Sequence, residues 1–174
     1  KEFGQLTIGI IYGTMNHDLA WSFERLGTLL ERADQTSRIL DVKYYILLPD
    51  ISMVGLVLDT VQWNAVLKSV SAFEMFRKRY SSTTPHNVAE FLLLSKEFPR
   101  SMRFCLDQAE WTLQNIALPH KADSNSLRLI GKIRADIDFT TIDEIISEGL
   151  HEKIEKYQKH LAELSNWIWK DFFN

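Results

Sequence analysis

The sequence predicts an all-α protein, an antiparallel bundle of about six to eight helices of which two are long. Three observations carry that prediction. Apolar residues recur at spacings of three and four through most of the chain. Only seven Gly and four Pro are available, and they fall mostly between the periodic segments, so strands and their turns have little room. Residues that favour helix N-caps stand where several of those segments begin.

Each element follows from those signals. Asn16 is the predicted N-cap of a first long helix running to about Leu47, with Pro49 just beyond to stop it. Within it Phe23, Leu26, Leu30, Ala33, Ser37, Leu40 and Tyr44 form one buried seam. Residues 51–58 are apolar but aperiodic and read as a flexible loop. Asp59 or Thr60 then caps a helix carrying Trp63, Val66, Leu67 and Val70 on one side, and a short helix spans Ala72 to Tyr80. Thr84 followed by Pro85 is an N-cap with proline at the first helical position, where its missing N–H is not needed, and opens a helix to Leu94. Pro99 starts the next helix, which turns Met102, Cys105, Ala109, Leu113 and Ile116 inward and ends at Leu118 before Pro119. Ser124 to Ile137 is helical by pattern, with Gly131 inside it. Thr141 and Glu144 form a capping box for the second long helix, whose seam runs through Ile142, Ile145, Leu150, Ile154, Tyr157, Leu161, Leu164 and Ile168. Helices joined by short connections pack as antiparallel neighbours.

Size and charge bound the function. The 174 residues make one domain, 1–174, of ordinary globular composition. A net charge of −3 leaves no surplus of cations for phosphates, so neither nucleic acid nor an anionic membrane is expected as a partner. No apolar run approaches the ~20 residues that span a bilayer, and no signal peptide is visible. A lone cysteine, Cys105, fits a reducing compartment, and the cytoplasm is the expected location. The chain opens at Lys1 and enters the apolar stretch Leu6 to Ile11 almost at once, so it is expected to be a piece of something longer.

The familiar catalytic and cofactor-binding motifs are missing from the sequence. Neither G-x-G-x-x-G nor the Walker pattern occurs, and no cofactor is expected. His151-Glu152-Lys153-Ile154-Glu155 starts like a zinc-protease helix but has Glu155 where the second imidazole must stand. Glu148 and His151 make one E-x-x-H, and a di-metal bundle needs two, so no metal site is predicted. Cys105 lies on an apolar helical face and reads as core rather than nucleophile. Trp167, Trp169, Phe172 and Phe173 crowd the C-terminal end, which either docks on the bundle or offers a surface for a partner, including a homodimer through the C-terminal helix.

The first long helix is denser in chemistry. Glu24, Glu31, Asp34, Arg38 and Asp41 fall on a stripe beside the buried seam, where Asp34 with Arg38 and Glu31 with Gln35 are i,i+4 neighbours. On an open face this is a solvated, self-paired surface. If the bundle covers it, the same residues become a carboxylate and guanidinium cluster able to grip a carboxylate or phosphate, with His17 and Trp21 at its N-terminal end.

The string Thr14-Met15-Asn16-His17-Asp18-Leu19-Ala20-Trp21, then Phe23, Leu26-Gly27 and Leu30-Glu31-Arg32-Ala33-Asp34-Gln35-Thr36, resembles the bacterial alpha-E domain family. Arg38, Leu40-Asp41-Val42 and Tyr44 continue the likeness, and Val88-Ala89-Glu90-Phe91 and Glu97-Phe98-Pro99-Arg100-Ser101-Met102 look like its later blocks. It covers about Ile8 to Leu118, with a weaker likeness around Glu148 to His151. The chain departs from the family pattern at Asp18, where glycine is usual, and at Thr28 and Leu29, where an Arg-Tyr pair is usual. Members are usually longer, with a preceding helical half, so a site shared between halves would be incomplete here.

The resemblance implies a helical protein encoded beside an ATP-grasp amide ligase. It implies an accessory or substrate-presenting partner of that ligase, with Glu31, Asp34, Arg38 and Asp41 shaping a binding face and Arg32 available to an acidic partner. His17, Trp21 and Glu24 complete the expected interface. Two alternatives stand beside it. One is an amide hydrolase or transferase with Glu31 as catalytic general acid or base. The other is a homo-oligomeric helical scaffold joined through the Trp167 to Phe173 end.

Overall fold

The structure, a computed structural model, describes residues 2–46, 57–117 and 124–174, which form nine helices and no strand. These are α1 (Glu2–Thr14), α2 (Leu19–Ile46), α3 (Val57–Ser69), α4 (Phe73–Arg79), α5 (Pro85–Leu94), α6 (Met102–Ala117), α7 (Asn125–Phe139), α8 (Ile142–Glu148) and α9 (Leu150–Phe172). The expected loop at 51–58 lies outside the described residues except for its last two, which already belong to α3; Pro49 and Pro119 also lie outside them.

Two elements raise the helix count above the six to eight expected. The segment before Asn16 is itself helical, as α1. The second long helix is broken at Gly149, whose φ of 102° no L side chain adopts comfortably, so that α8 stops before it and α9 starts after it. The seam residues lie inward on both pieces. The break separates Glu148 from His151, so these two share no helix face: Glu148 receives Lys153, and His151 meets Asp41.

Local chemistry sets the other helix ends. The cap of α2 is Asp18 rather than Asn16: its Oδ1 accepts from the backbone N–H groups of Ala20 at 3.0 Å and Trp21 at 3.3 Å. Asp59 does not cap α3 but lies in its first turn, where it pairs with Lys43. Thr84 accepts from the Asn87 N–H with Pro85 at the start of α5, and Thr141 and Glu144 close their capping box at the start of α8. Pro99 precedes α6 by a turn, and Ser101 Oγ accepts from the Phe104 N–H at its start.

Four helices make the body. Thr36 of α2 donates to the Arg100 carbonyl just before α6, while Trp21 and Arg25 lie beside Trp111 near its end, so α2 and α6 run antiparallel. The same logic orders the rest. Arg103 pairs with Asp138 and Arg134 with Asp107 across α6 and α7. Ser126 meets Asp171 and Asp136 meets Tyr157 across α7 and α9. Asp41 meets His151 and Phe23 meets Phe172 across α2 and α9. The ring α2–α6–α7–α9 encloses Leu26, Ala33, Leu40, Leu106, Leu113, Ile133, Ile154 and Leu161, all buried. Each such leucine or isoleucine removed from water stabilises the fold by roughly 1.5 to 3 kcal/mol.

The two ends of the ring differ. The helices α3, α4, α5 and α8 gather at the end where α2 stops and α9 starts, closing it with Trp63, Phe76, Phe91 and Phe98. At the opposite end large apolar groups meet solvent: Trp111, Trp169 and Phe173 are more than half exposed, as are Leu6 and Ile10 of α1. Phe172 and Phe173 nonetheless dock on Phe23, with ring centroids 5.6 and 4.8 Å away. No described helix is long and apolar enough to cross a membrane.

Candidate functional site

Helix α2 positions nearly every residue of interest. Neighbouring residues on a helix point about 100° apart, so a Glu-Arg dipeptide faces two directions. This helix carries two such dipeptides, Glu24-Arg25 and Glu31-Arg32, seven residues and about two turns apart. The structure sends their arginines toward α6, whereas Glu31 lines a groove with α9.

That groove has a volume of about 290 Å³ and is lined by Gly27, Glu31, Asp34 and Arg38 of α2 and by Gln158, Leu161 and Ser165 of α9. Its charges are wired along the helix. Arg38 Nε donates to Asp34 Oδ2 at 2.7 Å, and this hydrogen bond, with the Asp34 charge, holds the guanidinium above its ordinary pKa. Gln35 Nε2 donates to Glu31 Oε1 at 2.7 Å. Beyond the groove, Asp41 Oδ1 lies 2.7 Å from His151 Nδ1 and raises the imidazole pKa by hydrogen bond and charge. Gln158 Nε2 donates to Ser37 Oγ, a second polar tie between α2 and α9.

Glu31 is exposed, and Arg38 keeps 61% of its side chain in solvent. General acid–base work calls for a carboxylate in a water-poor setting, which the Glu31 side chain does not have. Glu24 has more of that character. Its Oε1 accepts from Thr28, while its Oε2 is buried without a hydrogen-bond partner among the described residues. It does not line the groove.

His17 and Trp21 do not join the charged stripe. Their rings stack at 4.1 Å, and both line a cleft of about 520 Å³ on the α6 side of α2, together with Tyr12, Arg25, Trp111 and Asn115. Arg32 also lies on that side, near enough to Cys105 for its charge to act on the thiol. Burial dominates there and pushes the Cys105 thiol up to about 12, so this sulfur is core and no nucleophile.

The residue list drawn from sequence therefore divides. Glu31, Asp34 and Arg38 come together in the α2–α9 groove, with Asp41 bound to His151 nearby. His17 and Trp21 join a separate cleft, and Glu24 and Arg32 stand apart from both. Arg25, Trp111 and Gln158 were missed. Trp21 and Arg25 are four apart and Arg25 belongs to the first Glu-Arg pair, so the signal for Arg25 was present; Trp111 and Gln158 arrive only through tertiary contact. Among the described residues no group of three or more His, Cys, Asp or Glu is placed to hold a metal ion.

An all-helical bundle with a charged, solvent-open groove along a glutamate–arginine helix defines the class of protein. The chain belongs to the Alpha-E family, described as a predicted alpha-helical domain with a conserved ER motif, whose sequence model matches residues 1–173. The match is wider than the Ile8 to Leu118 stretch over which the resemblance was legible. No curated protein and no solved structure matches the chain.

Proposed function

We propose that this Alpha-E domain is an accessory or substrate-presenting partner of an ATP-grasp amide ligase, with the α2–α9 groove as its docking face. The ligase enters through the family resemblance. The observation that carries the groove's part is its preorganisation. Asp34 holds Arg38 by a hydrogen bond and Gln35 holds Glu31, while the outer edges of both charged groups stay in solvent. A partner meets charges of both signs already engaged in intrahelical hydrogen bonds, which lowers the side-chain entropy lost in pairing with them. The exposure that argues against proton-transfer chemistry at Glu31 is what a docking face requires.

The test is capture of an ATP-grasp amide ligase of the kind the family resemblance implies, taken from the same source, using the full chain and a Glu31→Ala, Arg38→Ala double variant of unchanged helicity. Capture by the wild type with roughly ten-fold loss in the variant is the expected result, the size typical of removing charged contacts at an interface. Equal capture by both would move the interface off the groove. Capture by neither would remove the ligase reading. A self-associating chain whose dimer is lost on Trp169→Ala would then favour a scaffold joined at its open end.

A further inference from the structure

The cleft on the other side of α2 has features the docking reading does not use. Arg25 lies between two indole rings, its guanidinium carbon 5.3 Å from the centroid of Trp21 and 5.4 Å from that of Trp111. Cation–π contact with both rings steadies the guanidinium and leaves donors at its edge for a ligand. Among the described residues Arg25 makes one hydrogen bond, from Nη2 to Gln108 Oε1 at 2.6 Å, and pairs with no carboxylate. The lining of the cleft contains no acidic side chain. Trp21 is 8% exposed, and its Nε1–H has no acceptor among the described residues, an unusual state for a buried donor.

We infer that this cleft binds a small carboxylate with a flat apolar body, the carboxylate pairing with Arg25 and the body lying among Tyr12, His17, Trp21 and Trp111. The charge on the ligand follows from the lining, where an arginine has no counter-ion. One guanidinium can pair at two points with one planar carboxylate, and as the one Lys or Arg among the described lining residues it balances a monoanion better than a dianionic phosphate. A cationic ligand is disfavoured because the aromatic cage already holds its cation. About 520 Å³ is within the usual range for a small-molecule site.

Hippurate is a suitable probe, since it joins a carboxylate to a benzoyl group through one amide. Titration calorimetry, with the indole N–H signals followed by NMR, is expected to give saturable binding with Kd near ~1 mM, about what its thirteen or so non-hydrogen atoms deliver. Hippuramide, which lacks the charge, should bind at least ~10-fold more weakly, and Arg25→Gln should weaken hippurate by a similar factor. Trp111 is 54% exposed, so Trp111→Ala should fold normally and still lose hippurate binding. Arg38→Ala, in the opposite groove, should leave it unchanged, which separates this site from the docking face. The inference is overturned if folded wild-type protein does not bind hippurate at tens of millimolar. Equal binding of hippuramide, no effect of Arg25→Gln in a folded variant, or tighter binding of phenyl phosphate would overturn it as well.

Discussion

Removing the carboxylate of Asp59 tests the link between α2 and α3. Lys43 and Asp59 are 1% and 5% exposed, with Nζ 3.1 Å from Oδ1. The same ammonium donates to Gln62 Oε1 at 2.8 Å and sits 4.9 Å from the centre of the Trp63 ring. In Asp59→Ala the ammonium stays buried with an amide oxygen and an indole face but no counter-charge among the described residues. Orphaning a buried ion in this way costs about 3 to 5 kcal/mol. At roughly 2 to 4 °C of Tm per kcal/mol for a domain of this size, the variant should melt about 6 to 20 °C lower. Lys43→Met removes the ammonium partner of a carboxylate that is 5% exposed and should also destabilise the fold. Combining the two removes both charges, and the double variant should recover most of the loss, because a buried pair contributes little net stability over apolar replacements. Urea denaturation followed by circular dichroism, run as a double-mutant cycle, measures the coupling. Single variants costing under ~1 kcal/mol, or a double variant costing the sum of the singles, would refute the account of a mutually dependent buried pair.

Two further predictions concern the start of α9, alongside the ligase and hippurate tests. Gly149→Ala should cost about 1 to 3 kcal/mol in urea denaturation, because φ of 102° strains any L side chain. The new methyl would also meet the Glu152 carboxylate, 2.1 Å from the ideal Cβ, but that group can swing away. A Gly149→Ala, Glu152→Ala variant that recovered full stability would place the cost in the clash and not in the backbone. The pH prediction rests on His151. Asp41 raises its pKa above the ordinary 6.5 in the folded state, so the native protein holds this proton more tightly than the unfolded chain. The stabilisation is complete below the unfolded value and is lost as pH rises through the folded one. His151→Gln should flatten that part of the Tm–pH curve, and an NMR titration placing the folded pKa at or below 6.5 would count against the pairing.

What was legible in the sequence was local. The cap at Thr84 with Pro85, the capping box at Thr141 and the inward seams depend on residues within one or two turns of each other. The choice of Asn16 over Asp18 as cap failed because both residue types suit the role, and only the backbone geometry decides between them. The break at Gly149 left a trace: the seam steps by five from Ile145 to Leu150, a spacing a continuous helix face does not keep. The stripe on α2 was found as a pattern, but the company of each member was not. Asp41 meets His151 across 110 positions of sequence, and Arg25 meets Gln108 across 83. Helical periodicity contains nothing about which face of α2 receives α6 and which receives α9. That partition sends His17 and Trp21 to one cleft and Glu31 and Arg38 to the other.

The paired Glu-Arg steps on α2 also have a mechanical meaning. The backbone of a helix is stiff about its own axis, so the two sides of α2 turn as one body. A twist of α2 that swung Arg25 and Arg32 more deeply toward α6 would carry Glu31 and Arg38 in the same rotational sense along the α9 side. The hydrogen bonds from Gln158 to Ser37 and between His151 and Asp41 resist that twist at the α9 contact, as does the one from Thr36 to the Arg100 carbonyl at the α6 contact. These ties hold α2 in one rotational setting between α6 and α9, and so fix which of its residues face each cleft.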